Sequence, residues 1–134
     1  MQLPPIELNL IGAVFQTNRS GTEPALGYQV EAKTPIRENI DVSASYIQEG
    51  KDELVDRRGA ALQIWKEYHL TEKWSVNAGA GPYFAEGVNG LLSLEVRREI
   101  NEKNDIFFRF SRIADFKNDE TDRDMFGLGY SYRL

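Results

Sequence analysis

The chain has 134 residues, no cysteine, one histidine (His69), 28% charged residues and a formal net charge of -5. That length fits a single domain over residues 1–134, and the composition excludes cysteine nucleophiles, cysteine zinc sites and multi-histidine metal sites. Dispersed Lys and Arg in an acidic chain argue against nucleic acid as a partner, and no apolar run approaches the ~18 residues of a membrane-spanning helix.

Met1–Pro5 lacks a basic segment followed by an apolar one. That leaves either a cytoplasmic protein or a mature exported form whose signal peptide is absent from the given chain. From Ile6 onward the pattern has period two, with apolar residues at even positions. The runs are Ile6, Leu8, Leu10, Val14; Leu26, Tyr28, Val30, Ala32; Ile40, Val42, Ala44, Tyr46; and Ala60, Leu62, Ile64, Tyr68. They continue as Trp74, Val76, Ala78, Ala80; Leu92, Leu94, Val96; Ile106, Phe108, Phe110; and Phe126, Leu128, Tyr130, Tyr132, Leu134. Such alternation, bounded by Gly, Pro, Asn and Asp clusters, predicts eight strands with two unlike faces.

The connections alternate in length. Those around Thr34–Asn39, Leu70–Lys73 and Ile100–Asn104 are short. Those around Gln16–Pro24, Gln48–Arg58, Phe84–Gly90 and Ala114–Asp124 read as mostly longer. In an up-and-down meander the long loops gather at one rim, and the tight turns and both chain ends at the other. Outer-membrane barrels show this asymmetry.

Alternation alone does not say which face points inward, because a lipocalin-like barrel is apolar inside and a membrane barrel apolar outside. The odd positions decide it. They carry Gly27, Gly59, Gly79, Gly81, Gly127 and Gly129, and Ser43, Ser45, Ser75, Ser93, Ser111 and Ser131. Glycine weakens a solvated sheet face but suits the crowded inside of an eight-stranded barrel. The same face carries Glu7, Glu31, Asp41, Glu67 and Glu95 against Lys33, Arg97, Arg109 and Arg133. This near-balance is what a buried ion-pair lattice requires. The polar face is therefore assigned to the lumen and the apolar face to lipid. Tyr28, Tyr46, Tyr68, Trp74, Tyr130 and Tyr132 then lie outside as interfacial aromatics. Lys66 falls on the lipid face, close enough to a turn to snorkel. Phe15, Trp65 and Phe107 break the alternation on the lumen side.

The last strand, Gly127-Leu128-Gly129-Tyr130-Ser131-Tyr132-Arg133-Leu134, resembles the C-terminal signal of bacterial outer-membrane barrels at Gly129, Tyr132 and Leu134, with Leu in place of the usual Phe. The resemblance implies recognition by the barrel insertion machinery. Phe107–Asp115 with Asn118, Asp119 and the closing strand resembles the layout of lipid A deacylases and related small barrels. Those enzymes hydrolyse an ester with a His-x-Ser-Asn motif, and the aligned residues here are Arg112-Ile113-Ala114-Asp115. Both catalytic types are missing, since arginine is no base at neutral pH and alanine has no nucleophilic oxygen.

Other chemistry is thinly supported. Glu67, His69 and Ser75 are near in sequence but read as a polar cluster beside a turn. Gly79-Ala80-Gly81 is no phosphate loop, lacking a following helix and lysine. The acids of the long loops, among them Asp119, Glu120 and Asp122, lack the spacing of a calcium loop. No cofactor and no metal is expected. Arg19, Arg57, Arg58, Arg112 and Arg123 near the long-loop rim are candidate contacts for lipopolysaccharide phosphates. The expectation is a monomeric eight-stranded antiparallel transmembrane β-barrel of the bacterial outer membrane, all-β, with a filled polar lumen. Its partners are membrane lipid and lipopolysaccharide, and its role is structural or surface-interacting. A lipid A-modifying hydrolase is the alternative, and a soluble lipocalin-like barrel the second.

Overall fold

The alternating runs form eight strands in the computed structural model, which describes residues 6–17, 25–49, 58–85, 87–115 and 123–133. They are β1 (Glu7–Thr17), β2 (Ala25–Arg37), β3 (Ile40–Gln48), β4 (Arg58–His69), β5 (Trp74–Phe84), β6 (Val88–Glu99), β7 (Asn104–Asp115) and β8 (Arg123–Arg133). Each pairs antiparallel with its neighbours in sequence, and β1 also pairs with β8, which closes the sheet. Closure leaves no row of unpaired backbone groups, the condition for a sheet to cross a bilayer.

The register sets the shape. A pairing row that leaves β6 at Glu99 passes through Asp105, Ser131, Asn9, Glu31, Ser45, Ala61 and Tyr83 and re-enters β6 at Asn89, ten residues from its start. A staggered closure of this kind tilts strands by about 35–45° to the axis, and eight strands leave room inside for side chains only. Proline marks the irregularities. The β2–β3 register shifts between Pro35 and Arg37, and no pairing joins Leu62 and Gln63 to Pro82 and Gly81, since proline has no N–H to give a ladder.

Three tight turns share one rim. Asn39 takes a left-handed φ of 62° between β2 and β3, a conformation asparagine tolerates. Between β4 and β5 the Thr71 hydroxyl accepts from the Trp74 N–H at 3.1 Å. Between β6 and β7 the Asn101 side chain accepts from the N–H groups of Lys103 (2.9 Å) and Asn104 (3.0 Å). Glu7 lies opposite Arg133 at this rim, so the described chain begins and ends there, as the meander requires. The β5–β6 connection departs from the expected long loop. Only residues 85–87 separate the strands, because Gly87 adopts φ 115° and its carbonyl accepts from the Ala85 N–H at 3.0 Å.

Side chains sort by parity as the pattern predicts. Leu10, Leu26, Ile64, Leu92 and Leu128 are exposed on the outer wall, Leu26 by 77% and Leu128 by 71%. Glu31, Trp65, Glu95 and Arg109 are buried inside. This sorting overturns the lipocalin-like alternative, which needs the faces reversed. Phe15, Trp65 and Phe107 are interior as expected, and the glycines explain how they fit. A Cβ on Gly79 would stand 2.5 Å from the Trp65 ring, and one on Gly129 would stand 2.1 Å from the Phe107 ring.

Gly129→Ala is therefore expected to destabilise the barrel by roughly 1–3 kcal/mol through overpacking, although Ala otherwise favours a strand over Gly. Adding Phe107→Leu should restore most of the loss. Urea unfolding of the lipid-embedded protein measures both, and a stability gain in the single variant would contradict the packing.

Candidate functional site

The lumen is filled in three tiers, which the stagger places at successive heights. Nearest the tight turns lies a charged lattice. The middle tier is neutral and polar: Gln29 donates to the Ser45 hydroxyl (3.0 Å), Gln63 to that of Ser93 (3.0 Å), and Ser93 and Ser111 share a 2.7 Å hydrogen bond. Towards the long loops the interior is apolar, a cluster that includes Phe15, Ile47, Leu91, Ile113 and Met125. The expected polar lumen thus holds for the turn-side and middle parts, while at the loop side polar groups such as Glu49, which accepts from the Tyr83 hydroxyl at 2.7 Å, and Asn89 are set among apolar ones. Those apolar residues sit at odd positions, so parity placed them inside, and it is their clustering at one end that makes a plug.

Arg109 is the hub of the lattice. Its guanidinium donates to Glu31 through Nη1 (3.1 Å) and Nη2 (2.9 Å), and to Glu95 Oε1 through Nε (3.1 Å) and Nη2 (2.7 Å). Glu31 also accepts from Asn9 at 2.7 Å, and Glu95 from Asn77 at 2.9 Å. Arg97 reaches Glu95 (3.1 Å), Glu7 (2.9 Å) and Asp105 (3.0 Å), and Arg133 joins the same Asp105 carboxylate. Lys33 stands 3.9 Å from Glu95 and 4.3 Å from the Trp65 ring centroid. The Arg109 guanidinium lies 4.5 Å from the same ring centroid, while the Trp65 indole N–H donates to Ser43 at 2.8 Å. Two of the three aromatic residues that broke the alternation, Trp65 and Phe107, therefore serve as cation–π partners for buried positive charge, while Phe15 joins the apolar cluster.

Of the expected lumen residues, Glu7, Glu31, Lys33, Glu95, Arg97, Arg109 and Arg133 are brought into one network. Asp41 and Glu67 stand at its turn-side mouth, half-buried, lining a vestibule of about 200 Å3 with Glu7 and Arg133. Glu67 pairs with His69 at 2.6 Å. Ser75 faces His69 across the ladder, and no hydrogen bond joins them. Asn9, Asn77 and Asp105 belong to the network although the sequence reading did not select them. Odd parity was their available signal.

The other candidates lie elsewhere. Gly129 is the space under Phe107, Tyr132 is exposed on the outer wall opposite Leu8, and Leu134 lies outside the described residues. Arg58 is exposed at the loop-side start of β4. Arg112 faces outward, and its guanidinium donates to Asp124 at 3.1 Å. Arg123 opens β8 at the same rim, while Arg19 and Arg57 lie outside the described residues. Among the described residues no group of three His, Cys, Asp or Glu side chains is arranged to hold a metal ion.

This architecture is that of the small eight-stranded transmembrane β-barrels. No protein-family model matches the chain, and no curated protein is similar to it. Solved structures share its fold. The N-terminal β-barrel domain of Pseudomonas aeruginosa OprF superposes with a TM-score of 0.77 at 10% identity, covering 100% of both chains. A de novo designed transmembrane β-barrel gives 0.76 at 6% identity over 100% of this chain and 98% of the other. Ail, the attachment invasion locus protein of Yersinia pestis, gives 0.67 at 13% identity over 98% of this chain and 100% of its own.

Removing one member of a buried ion cluster strands the others. Arg109→Met should cost about 3–5 kcal/mol, and combining it with Glu31→Gln and Glu95→Gln should recover most of the loss. Urea midpoints in lipid vesicles measure the series. An additive triple variant would show that the three residues do not act as a unit.

Proposed function

We propose that this chain is an integral β-barrel of the bacterial outer membrane that works without catalysis. It acts as a closed scaffold whose loop-side rim meets lipopolysaccharide and the cell exterior. The observation that carries this reading is the distribution of polarity across the wall. The outer face offers lipid a continuous apolar surface, and the interior is sealed by a hydrogen-bonded lattice beneath an apolar plug. A filled lumen of eight strands has no room for a solute path.

Arg58 and Arg112 support the lipopolysaccharide contact, since both stand on the outer wall near the loop-side rim, where lipid phosphates would lie. Arginine forks suit phosphate oxygens. The deacylase-like alternative finds no matching chemistry at its aligned position. Arg112 is engaged with Asp124, and His69, at the opposite rim, is engaged with Glu67.

Four measurements test the reading. The folded chain should fractionate with outer membranes and migrate faster on a gel when unheated than after boiling. Lipopolysaccharide should co-purify with it, and the pair Arg58→Gln, Arg112→Gln should lower the amount retained several-fold, each cation contributing about 1 kcal/mol near a charged surface. Lipid A mass should stay unchanged on incubation with the protein. Loss of an acyl chain would replace this proposal with the hydrolase.

A further inference from the structure

The outer wall is not uniform. Across β4, β5 and β6 it carries an apolar groove of about 660 Å3, floored by Ala78 and Ala80 and walled by Ile64, Leu92 and Leu94. Its two ends differ in charge. At the loop-side end Arg112 is neutralised by Asp124. At the turn-side end Lys66 has no acidic partner among the described residues, and its ammonium lies 5.4 Å from the Tyr68 ring, turned towards the rim. Two strands away Arg98 also faces outward, its guanidinium 5.3 Å from the Trp74 ring, again without an acid. The register sets Lys66 opposite Ala78 and Arg98 opposite Trp74, four residues further along β5 towards the turns, so these two backbones stand about 16 Å apart, a gap that the two long side chains narrow by reaching towards Tyr68 and Trp74.

From these placements we infer that the wall over β4–β6 is a selective site for an anionic phospholipid of the turn-side leaflet. One acyl chain lies in the groove over Ala78 and Ala80, and the phosphate sits between Lys66 and Arg98, flanked by Tyr68 and Trp74. The occupant follows from charge and position. An apolar groove in a bilayer takes hydrocarbon, and two unpaired cations held by interfacial aromatics at one end of it select a headgroup with net negative charge. A zwitterionic lipid fills the same groove but brings a cation of its own towards Lys66 and Arg98. The tight turns place the headgroup contact on the leaflet opposite the loop-side rim, at the other end of the groove from Arg112, so it is distinct from the lipopolysaccharide contact. It rests on the barrel lying in a bilayer and not on that contact.

Native mass spectrometry of the full chain, released from detergent holding equal phosphatidylglycerol and phosphatidylcholine of matched acyl chains, tests it. Phosphatidylglycerol should be retained preferentially, with about a five-fold preference from each cation. Lys66→Met and Arg98→Gln should each lower the preference, and the double variant should abolish it. Arg58→Gln, which removes an exposed cation at the loop-side start of β4 outside the groove, should leave it intact. Soluble glycerol phosphate should not displace the lipid. Equal retention of the two lipids by the unaltered protein, or an unchanged preference in the double variant, would overturn the site. Gel mobility before and after boiling keeps loss of folding separate from loss of selectivity, because all these positions face outward and leave the interior untouched.

Discussion

Arg109 joins parts of the wall that share no backbone ladder. It projects from β7 and binds carboxylates on β6 and, across the lumen, on β2, and β2 and β7 are not neighbours in the ring. In a bilayer the outer face gains nothing further by burial, since lipid is as apolar as leucine. What holds the barrel to one shape must therefore come from backbone ladders and from contacts made inside. A guanidinium with five donors in a fixed plane suits this task, because it meets two carboxylates at once and fixes the distance between opposing strands.

The cost of burying charge explains the neighbours of that hub. Glu31 and Glu95 each accept from arginine and from a neutral amide, Asn9 or Asn77, so their lone pairs are occupied as a dry interior demands. Trp65 and Phe107 put ring faces against Arg109, which supplies partial negative charge without another acid. The glycines opposite those rings complete the arrangement. Bulk on β4 and β7 is accommodated by its absence on β5 and β8.

Strand number, order, direction and the inside–outside assignment were legible because period-two alternation runs through all eight strands, and glycine, serine and balanced charge on one face suit the crowded interior of a narrow barrel. The tiers were not legible. Parity tells which side of the wall a residue faces but not its height. Height depends on the stagger, which sets Glu99 and Asn89 on one pairing row and is a property of closure rather than of any local segment. The short β5–β6 connection was hidden for a different reason. Phe84–Gly90 mixes apolar and turn residues, and only the backbone conformation of Gly87 shows that Val88 already belongs to the next strand. Of the candidate site, ionic residues were found from charge and parity, whereas Asn9 and Asn77 carry no charge to draw notice.

The apolar plug gives the lattice a sidedness. Ile47, Leu91, Ile113 and Met125 stand between Arg109 and the loop-side mouth, while the turn-side vestibule at Glu7, Glu67 and Arg133 opens towards water. The lattice around Arg109 is therefore set nearer the turn-side mouth, while the buried carboxylate of Glu49 belongs to the other end, accepting from the Tyr83 hydroxyl at 2.7 Å. The neutral tier of Gln29, Gln63, Ser93 and Ser111 and the apolar cluster above it thus act as a spacer, holding the Arg109 lattice at a distance from the charges at the loop-side rim.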